Sequence, residues 1–158
     1  MAGLAVIITT YNWPAALEVV LAGYLAQQRP PAELIIADDG STEETRAVID
    51  VFREQAPFPV KHVWHADQGF RAGAIRNRAI QNSEADYIVF TDGDCIPAPW
   101  FLQQHHRLAE RGWFLSGNRV LCSQNFSQEV LREKTPLHTW NWRQWLRARQ
   151  HKQINRLS

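Results

Sequence analysis

Four short apolar runs, each closing on polar residues and separated by stretches with helical spacing, constrain this chain more than any other feature. They are Leu4-Ala5-Val6-Ile7-Ile8, Glu33-Leu34-Ile35-Ile36-Ala37, Val60-Lys61-His62-Val63-Trp64 and Tyr87-Ile88-Val89-Phe90-Thr91. Their β-branched and aromatic content is that of strands. The first is unalternated, as expected of a strand covered on both faces. Pro14 suits the first turn of a helix, behind which Leu17, Val20, Leu21, Tyr24 and Leu25 recur at helical spacing until Pro30-Pro31 stops it. Ser41-Thr42-Glu43-Glu44 reads as a capping box opening a second helix with Val48, Val51 and Phe52 inward. A third helix is expected over 72–81 with Ile75, Ala79 and Ile80 inward, and a fourth from Pro97-Ala98-Pro99 to about Glu110. Strand and helix alternating four times predicts an α/β fold, an open and mostly parallel sheet with crossover helices, Rossmann-like in plan.

The 158 residues suffice for one domain with a real core, and a net charge of +1 argues against a protein-wide basic field and hence against nucleic acid as a partner. Cys95 and Cys122 are far apart and outside any C-x-x-C pattern, which indicates neither a zinc site nor a disulfide framework and suits a reducing cytosol. Leu4 to Ile8 has no basic stretch before it and is too short for a signal peptide. No run approaches the roughly 20 apolar residues that span a bilayer. A cytoplasmic location is expected, at most peripheral at the inner face of the membrane. From Arg132 onward Arg132, Lys134, Arg143, Arg147, Arg149, Lys152 and Arg156 meet a single acid, Glu133. That asymmetry divides a core over 1–120 from a basic, Trp-rich segment over 121–158. Trp140, Trp142 and Trp145 among those arginines could lie in a membrane interface. Packing against further residues, or against a second copy of the chain, is the plainer reading.

Ligands of such sheets bind beyond the carboxyl ends of the strands, so the polar clusters there carry the functional argument. Asp92-Gly93-Asp94 places two carboxylates one residue apart, able to converge on a hard cation such as Mg²⁺ or Mn²⁺ together with substrate phosphates. A solvated turn would use the same residues. At Asp38-Asp39-Gly40-Ser41 one carboxylate could accept a hydrogen bond from a base imide or ribose hydroxyl while the other orients the loop. A plain helix-capping turn needs only Ser41. In Thr9-Thr10-Tyr11-Asn12, Tyr11 offers a face for a base and a hydroxyl, or else is an aromatic at the core edge. Gln68 to Arg78 opens a helix with three cations, of which Arg71 and Arg76 could reach a diphosphate near the helix N-terminus. No G-x-G-x-x-G is present. His62, His65, His105 and His106 form no metal-ligand pattern and are expected on loop and helix surfaces.

With these segments in this order, the chain resembles glycosyltransferase family 2, whose members have the GT-A fold. Val6 to Asn12 is similar to that family's first strand and base-binding loop, and Leu34 to Ser41 to its second strand with an Asp-Asp-Gly-Ser ending. Gly69 to Asn77 is similar to its Gly-x-x-x-Ala-Arg-Asn segment, and Asp92-Gly93-Asp94 to its D-x-D motif. Gly117-Asn118 resembles a segment of galactosyltransferase-like and chondroitin-polymerase-like members. The resemblance covers residues 4–102 or so. It implies inverting transfer of a sugar from a nucleotide donor, UDP-linked in most members, to a glycan or lipid-linked acceptor in polysaccharide biosynthesis. On that reading Thr9, Tyr11 and Asp38 or Asp39 contact the nucleoside, Arg76 lies near the diphosphate, and Asp92 and Asp94 hold Mn²⁺ or Mg²⁺. One departure stands out. The family's general base lies in a Glu-Asp-type motif well after D-x-D, whereas Glu110, Glu129 and Glu133 are the only acids after Asp94 and none sits in that pattern. No catalytic base is therefore identifiable, and a truncated chain that binds donor but transfers sugar poorly is expected. Two rivals share parts of the pattern: a haloacid-dehalogenase-type phosphohydrolase, whose Asp-x-Asp ends the first strand, and a response-regulator receiver, which pairs acids at one strand end with an Asp on another.

Overall fold

The computed structural model describes residues 3–155, so Arg156 and the end of the basic segment lie outside them. The elements run β1 (Leu4–Thr10), α1 (Pro14–Leu25), β2 (Glu33–Asp38), α2 (Glu43–Gln55), β3 (Val60–Trp64), α3 (Ala72–Gln81), β4 (Tyr87–Asp92), α4 (Phe101–Leu108), α5 (Gln124–Glu133) and α6 (Trp142–Gln150), with a 3₁₀ turn at Leu137–Thr139 before α6. The four strands form one sheet in the order β3-β2-β1-β4, and every pairing is parallel. This is the α/β architecture the alternation predicts. The chain steps outward from β1 to β3, then returns through α3 to the other side of β1. Strand order thus reverses between β1 and β4, where such sheets open a crevice for ligands.

Two-residue alternation sorts each strand between the two helical layers. Leu4, Val6 and Ile8 of β1 and Leu34 and Ile36 of β2 join α1, Ile49 and Phe52 of α2 and Leu102 of α4 in the larger core. Ile7, Ile35 and Ala37 face the other way onto Ile75 and Ala79 of α3. Burial of each large apolar side chain stabilises the fold by about 1.5–3 kcal/mol relative to exposure, and a single sheet sandwiched between helices gathers most of them.

Several local expectations fail. No side chain caps α2 at Thr42, and Ser41 forms no capping box; its Oγ accepts the Asn12 N–H at 2.9 Å while its own N–H goes to Asp38 Oδ1 at 2.8 Å. The inward face of α2 is Thr45, Ile49 and Phe52, spaced i, i+4, i+7, so Val51 is turned out to solvent. Ile80 and Leu25 are exposed for the same angular reason, and α4 stops at Leu108.

Beyond Gly117 the described residues add no strand to the sheet, only an isolated bridge between Cys122 and Ile154. Phe126, Val130, Leu137, Ala148 and Ile154 build a small third core between α5 and α6. Trp140 is part of that packing, with ring centroids 5.7 Å from Phe126 and 5.2 Å from Trp145. Trp142 alone of the three points outward, under Arg143. Packing within the chain therefore uses two of the three tryptophans, which neither the membrane reading nor the second-copy reading had assumed. Among the described residues no helix is long and apolar enough to cross a membrane.

Candidate functional site at the carboxyl edge of the sheet

The register between β1 and β4 sets Thr9 opposite Asp92. By alternation Thr9 lies on the same face as Ile7, and Asp92 on the same face as Ile88, the face covered by α3. Arg76, one turn into α3, reaches both: Nε donates to Thr9 Oγ1 at 2.7 Å and one terminal nitrogen donates to Asp92 Oδ1 at 2.7 Å. Arg119, from the loop before α5, approaches the other Asp92 oxygen at 3.8 Å. The carboxylate is thus held between two guanidinium groups. The Gly93 N–H donates to the Thr9 carbonyl at 2.8 Å, fastening the turn that carries Asp94 to the end of β1.

Donor atoms of Asp92, Asp94 and Cys95 lie within 4.8 Å of one another. Two oxygens at that separation fit a divalent cation, and the exposed side of Asp94 leaves room for phosphate oxygens or water in the remaining positions. Burial, with Asp94 beside it, pushes the Cys95 thiol up from its ordinary pKa. The carboxylate oxygens are the donors that suit a hard ion such as Mn²⁺ or Mg²⁺.

The same alternation separates the two adjacent acids of the second strand. Asp38 follows Ile36 onto the α1–α2 face, diagonal to His62, whose Nε2 lies 2.9 Å from Asp38 Oδ2. Burial alone would raise the Asp38 carboxyl, but hydrogen bonds from His62 and Ser41 outweigh it and hold the pKa below the usual range. Both oxygens are thereby engaged inside the fold. Asp39 follows Ala37 onto the α3 face. One oxygen lies 2.6 Å from His65 Nε2, and the other accepts the Arg71 N–H at 2.8 Å.

Around these groups two adjoining clefts open. One is lined by Thr9, Tyr11, Asp39, Phe70, Arg76 and Asp92, and the other by Thr10, Tyr11, Trp13, Asp92 and Asp94. Tyr11 stands between them, its hydroxyl donating to Asp67 Oδ2 at 2.9 Å. Of the predicted residues, Thr9, Tyr11, Asp39, Arg76, Asp92 and Asp94 come together here. Asp38 does not line either cleft, and the Arg71 side chain turns away onto Gln68 while its backbone serves Asp39. The expectation of surface histidines is corrected for His62 and His65, which are drawn inward by the two aspartates. Phe70, 94% exposed, Trp13 and Arg119 also escaped the sequence reading; an aromatic directly after the glycine of the Gln68-Gly69 turn was the available signal for Phe70. Glu110, Glu129 and Glu133 are exposed and line neither cleft.

Comparison with known proteins matches residues 5–157 to the family described as Glycosyl transferase family 2. A hyaluronan synthase of Pasteurella multocida is 34% identical over 104 residues, which cover 65% of this chain and 10% of that protein. Among solved structures, the mannosyltransferase PcManGT from Pyrobaculum calidifontis in complex with GDP-Man and Mn²⁺ superposes with a TM-score of 0.61 at 25% identity, covering 70% of this chain and 34% of that one. TarS 1-349 of S. aureus in complex with UDP-GlcNAc has a TM-score of 0.57 at 24% identity, over 66% of this chain and 30% of that one, and shares the fold. The chain thus spans between 10% and 34% of these relatives' length. They lend no support to a phosphohydrolase or a receiver.

Proposed function

Because the chain belongs to glycosyltransferase family 2, we propose that it is the donor-binding part of an inverting, metal-dependent glycosyltransferase that takes its sugar from a UDP-linked donor. One observation carries the reading. Asp92 and Asp94 bring their oxygens together at the point where strand order reverses, with Arg76 bridging Asp92 to Thr9. A pyrophosphate placed against two aspartates needs countercharge, which a cation held by the aspartates would supply together with Arg76 and Arg119. That a hyaluronan synthase is among the relatives, and that the mannosyltransferase structure holds GDP-Man and Mn²⁺, supports a nucleotide-sugar donor and a divalent ion.

In this reading Asp92 and Asp94 hold Mn²⁺ or Mg²⁺, which when bound stabilises the charge developing on the leaving nucleoside diphosphate. Arg76 meets the diphosphate from the α3 side. Tyr11 and Asp39 receive the nucleoside, Tyr11 by its ring face and Asp39 by accepting from a base imide or ribose hydroxyl. Asp38 and the Arg71 side chain act behind this layer. The acceptor is a glycan, free or lipid-linked. Trp142 and Leu146, exposed a turn apart beside Arg143, are where a lipid surface or a second copy of the chain would meet that segment; flotation with anionic vesicles and analytical sedimentation separate the two. With Asp92 and Asp94 assigned to the cation and Asp39 to the nucleoside, no cleft acid among the described residues is left to deprotonate an acceptor hydroxyl, so slow turnover is expected.

Calorimetry with UDP tests the proposal. Affinity should rise at least tenfold on adding Mn²⁺, and Asp92→Ala with Asp94→Ala should erase that increment. Manganese-dependent affinity that survives the double substitution would refute the site.

A further inference from the structure

The short loop between β3 and α3 grips Asp39 at two points. His65, only 8% exposed, sets its Nε2 at 2.6 Å from Oδ1, and the Arg71 N–H donates to Oδ2 at 2.8 Å. Asp39 is itself 3% exposed, yet it lines the cleft between Thr9 and Phe70. A carboxylate on a two-torsion side chain can swing freely unless both oxygens are held. Here a backbone donor and a ring donor, six residues apart on one loop, define its plane. Each oxygen keeps a further lone pair for a ligand.

Resting on the donor-site reading above, we propose that His65 is a positioning residue for the nucleoside. By donating from Nε2–H it fixes the Asp39 carboxylate in the plane in which the carboxylate accepts a hydrogen bond from the donor's base or ribose. The acceptor role of Asp39 requires this. An aspartate free to rotate would lose ordering entropy on each binding event, and one stripped of its donor would sit as an underpaired buried anion, disposed to turn away from the cleft. His62 performs no such task, since its partner Asp38 lies on the other face of the sheet.

The test compares two ligands on folded variants. His65→Leu removes the donor. His65→Gln places an amide nitrogen at the reach of Nε2, and His65→Asn stops short at the reach of Nδ1. Affinities are measured by calorimetry for UDP and for inorganic pyrophosphate, both with Mn²⁺. His65→Leu should weaken UDP about tenfold, the scale of one lost charge-assisted hydrogen bond, and leave pyrophosphate unchanged. His65→Gln should restore UDP to within about twofold of wild type while His65→Asn does not. If His65→Leu fails to fold, the Gln–Asn contrast carries the test alone. Equal loss for both ligands would mean general damage to the cleft and overturn the proposal, as would Asn and Gln behaving alike. Asp39→Ala separates the premises: if it too leaves UDP affinity intact, the nucleoside end of the donor site is misassigned. If it weakens UDP while His65→Leu does not, only the role of His65 falls.

Discussion

Gly40, in the turn between β2 and α2, packs against the loop that supplies His65, Asp67 and Arg71, and its replacement by alanine tests whether that junction is as tightly set as the geometry implies. Its φ is +100°, in the region L residues avoid, and a Cβ there would lie 2.6 Å from Asp67 Cα and 2.7 Å from Asp67 N. The backbone conformation costs an alanine about 1–3 kcal/mol. The overlap is with backbone, which cannot rotate away, and shifting the loop costs about 1–3 kcal/mol more. Gly40→Ala should therefore lower stability by about 2–6 kcal/mol, or Tm by about 4–24 °C for a domain of this size. Moving Asp67 also pulls it from Tyr11 and drags Arg71 from Asp39, so Mn²⁺-supported UDP affinity should drop about tenfold in the fraction that folds. Gly112→Ala is the control, since Gly112 has φ +86° and nothing within 4 Å of an added Cβ. It should cost only the conformational part and leave UDP affinity unchanged. Thermal unfolding by circular dichroism reads the stabilities and calorimetry the affinities. A Gly40→Ala protein that melts within about 2 °C of wild type, or no further below it than Gly112→Ala, would show that the clash is relieved by easy loop motion and that the junction does not set the site.

Three further outcomes follow from other parts of the structure. Gln27 spans α1 and the segment after the metal motif, its Nε2 donating to the Gly23 and Ala98 carbonyls and its Oε1 accepting the Leu102 N–H; Gln27→Ala should cost about 2–4 kcal/mol in urea unfolding, since buried backbone groups are left unpaired. Asp38 and Glu33 both have carboxyl pKa values held below the ordinary range, Glu33 because hydrogen bonds from Lys61, Ser83 and the Glu84 N–H outweigh its burial. Groups depressed in the folded state contribute stability above their unfolded pKa of roughly 4 and lose it as pH falls through the folded value. Stability should decline steeply below about pH 4, and Asp38→Asn should be less stable at pH 7 but show a shallower acid decline in pH-dependent melting. Incubation with UDP-sugars and Mn²⁺ should give no efficient transfer to a glycan acceptor, as read by release of UDP; efficient turnover would show that a base lies within these residues after all.

The alternation of apolar runs made the sheet legible because each run is short, ends in polar residues and is followed by a helical period. Strand order could not be read that way. Nothing in the run Tyr87 to Thr91 says that it returns to pair with β1; that follows from the crossover through α3 and from the demand of Ile7 and Ile88 for a common helical cover. Helix faces were misjudged where a β-branched residue such as Val51 sat one position from the true face. Hydrophobicity alone assigns Val51 inward, while the angular position of Ile49 and Phe52 relative to the sheet turns it out.

The site divides along the same line. Cleft residues that stand at their own strand end, Thr9, Asp39, Asp92 and Asp94, were visible because a polar cluster after an apolar run is conspicuous in one dimension. Residues that act by pairing across strands were not. His62 and His65 occupy an edge strand and its exit loop, where histidines are unremarkable, and only the parallel register that sets Ile36 beside His62 brings the first of them to Asp38. The parity argument goes further than either list. Asp38 closes the strand and Asp39 follows it, and the two carboxylates diverge to opposite sides of the sheet, onto His62 and His65. Given that α3 supplies Arg76 and that Thr9 and Asp92 share its face, the second acid had to be the one in the cleft. Exchanging the two roles would require a one-residue slip of β2, which would also bring Ile35 and Ala37 to the α1–α2 core in place of Leu34 and Ile36. The packing of two cores therefore fixes which aspartate lines the cleft.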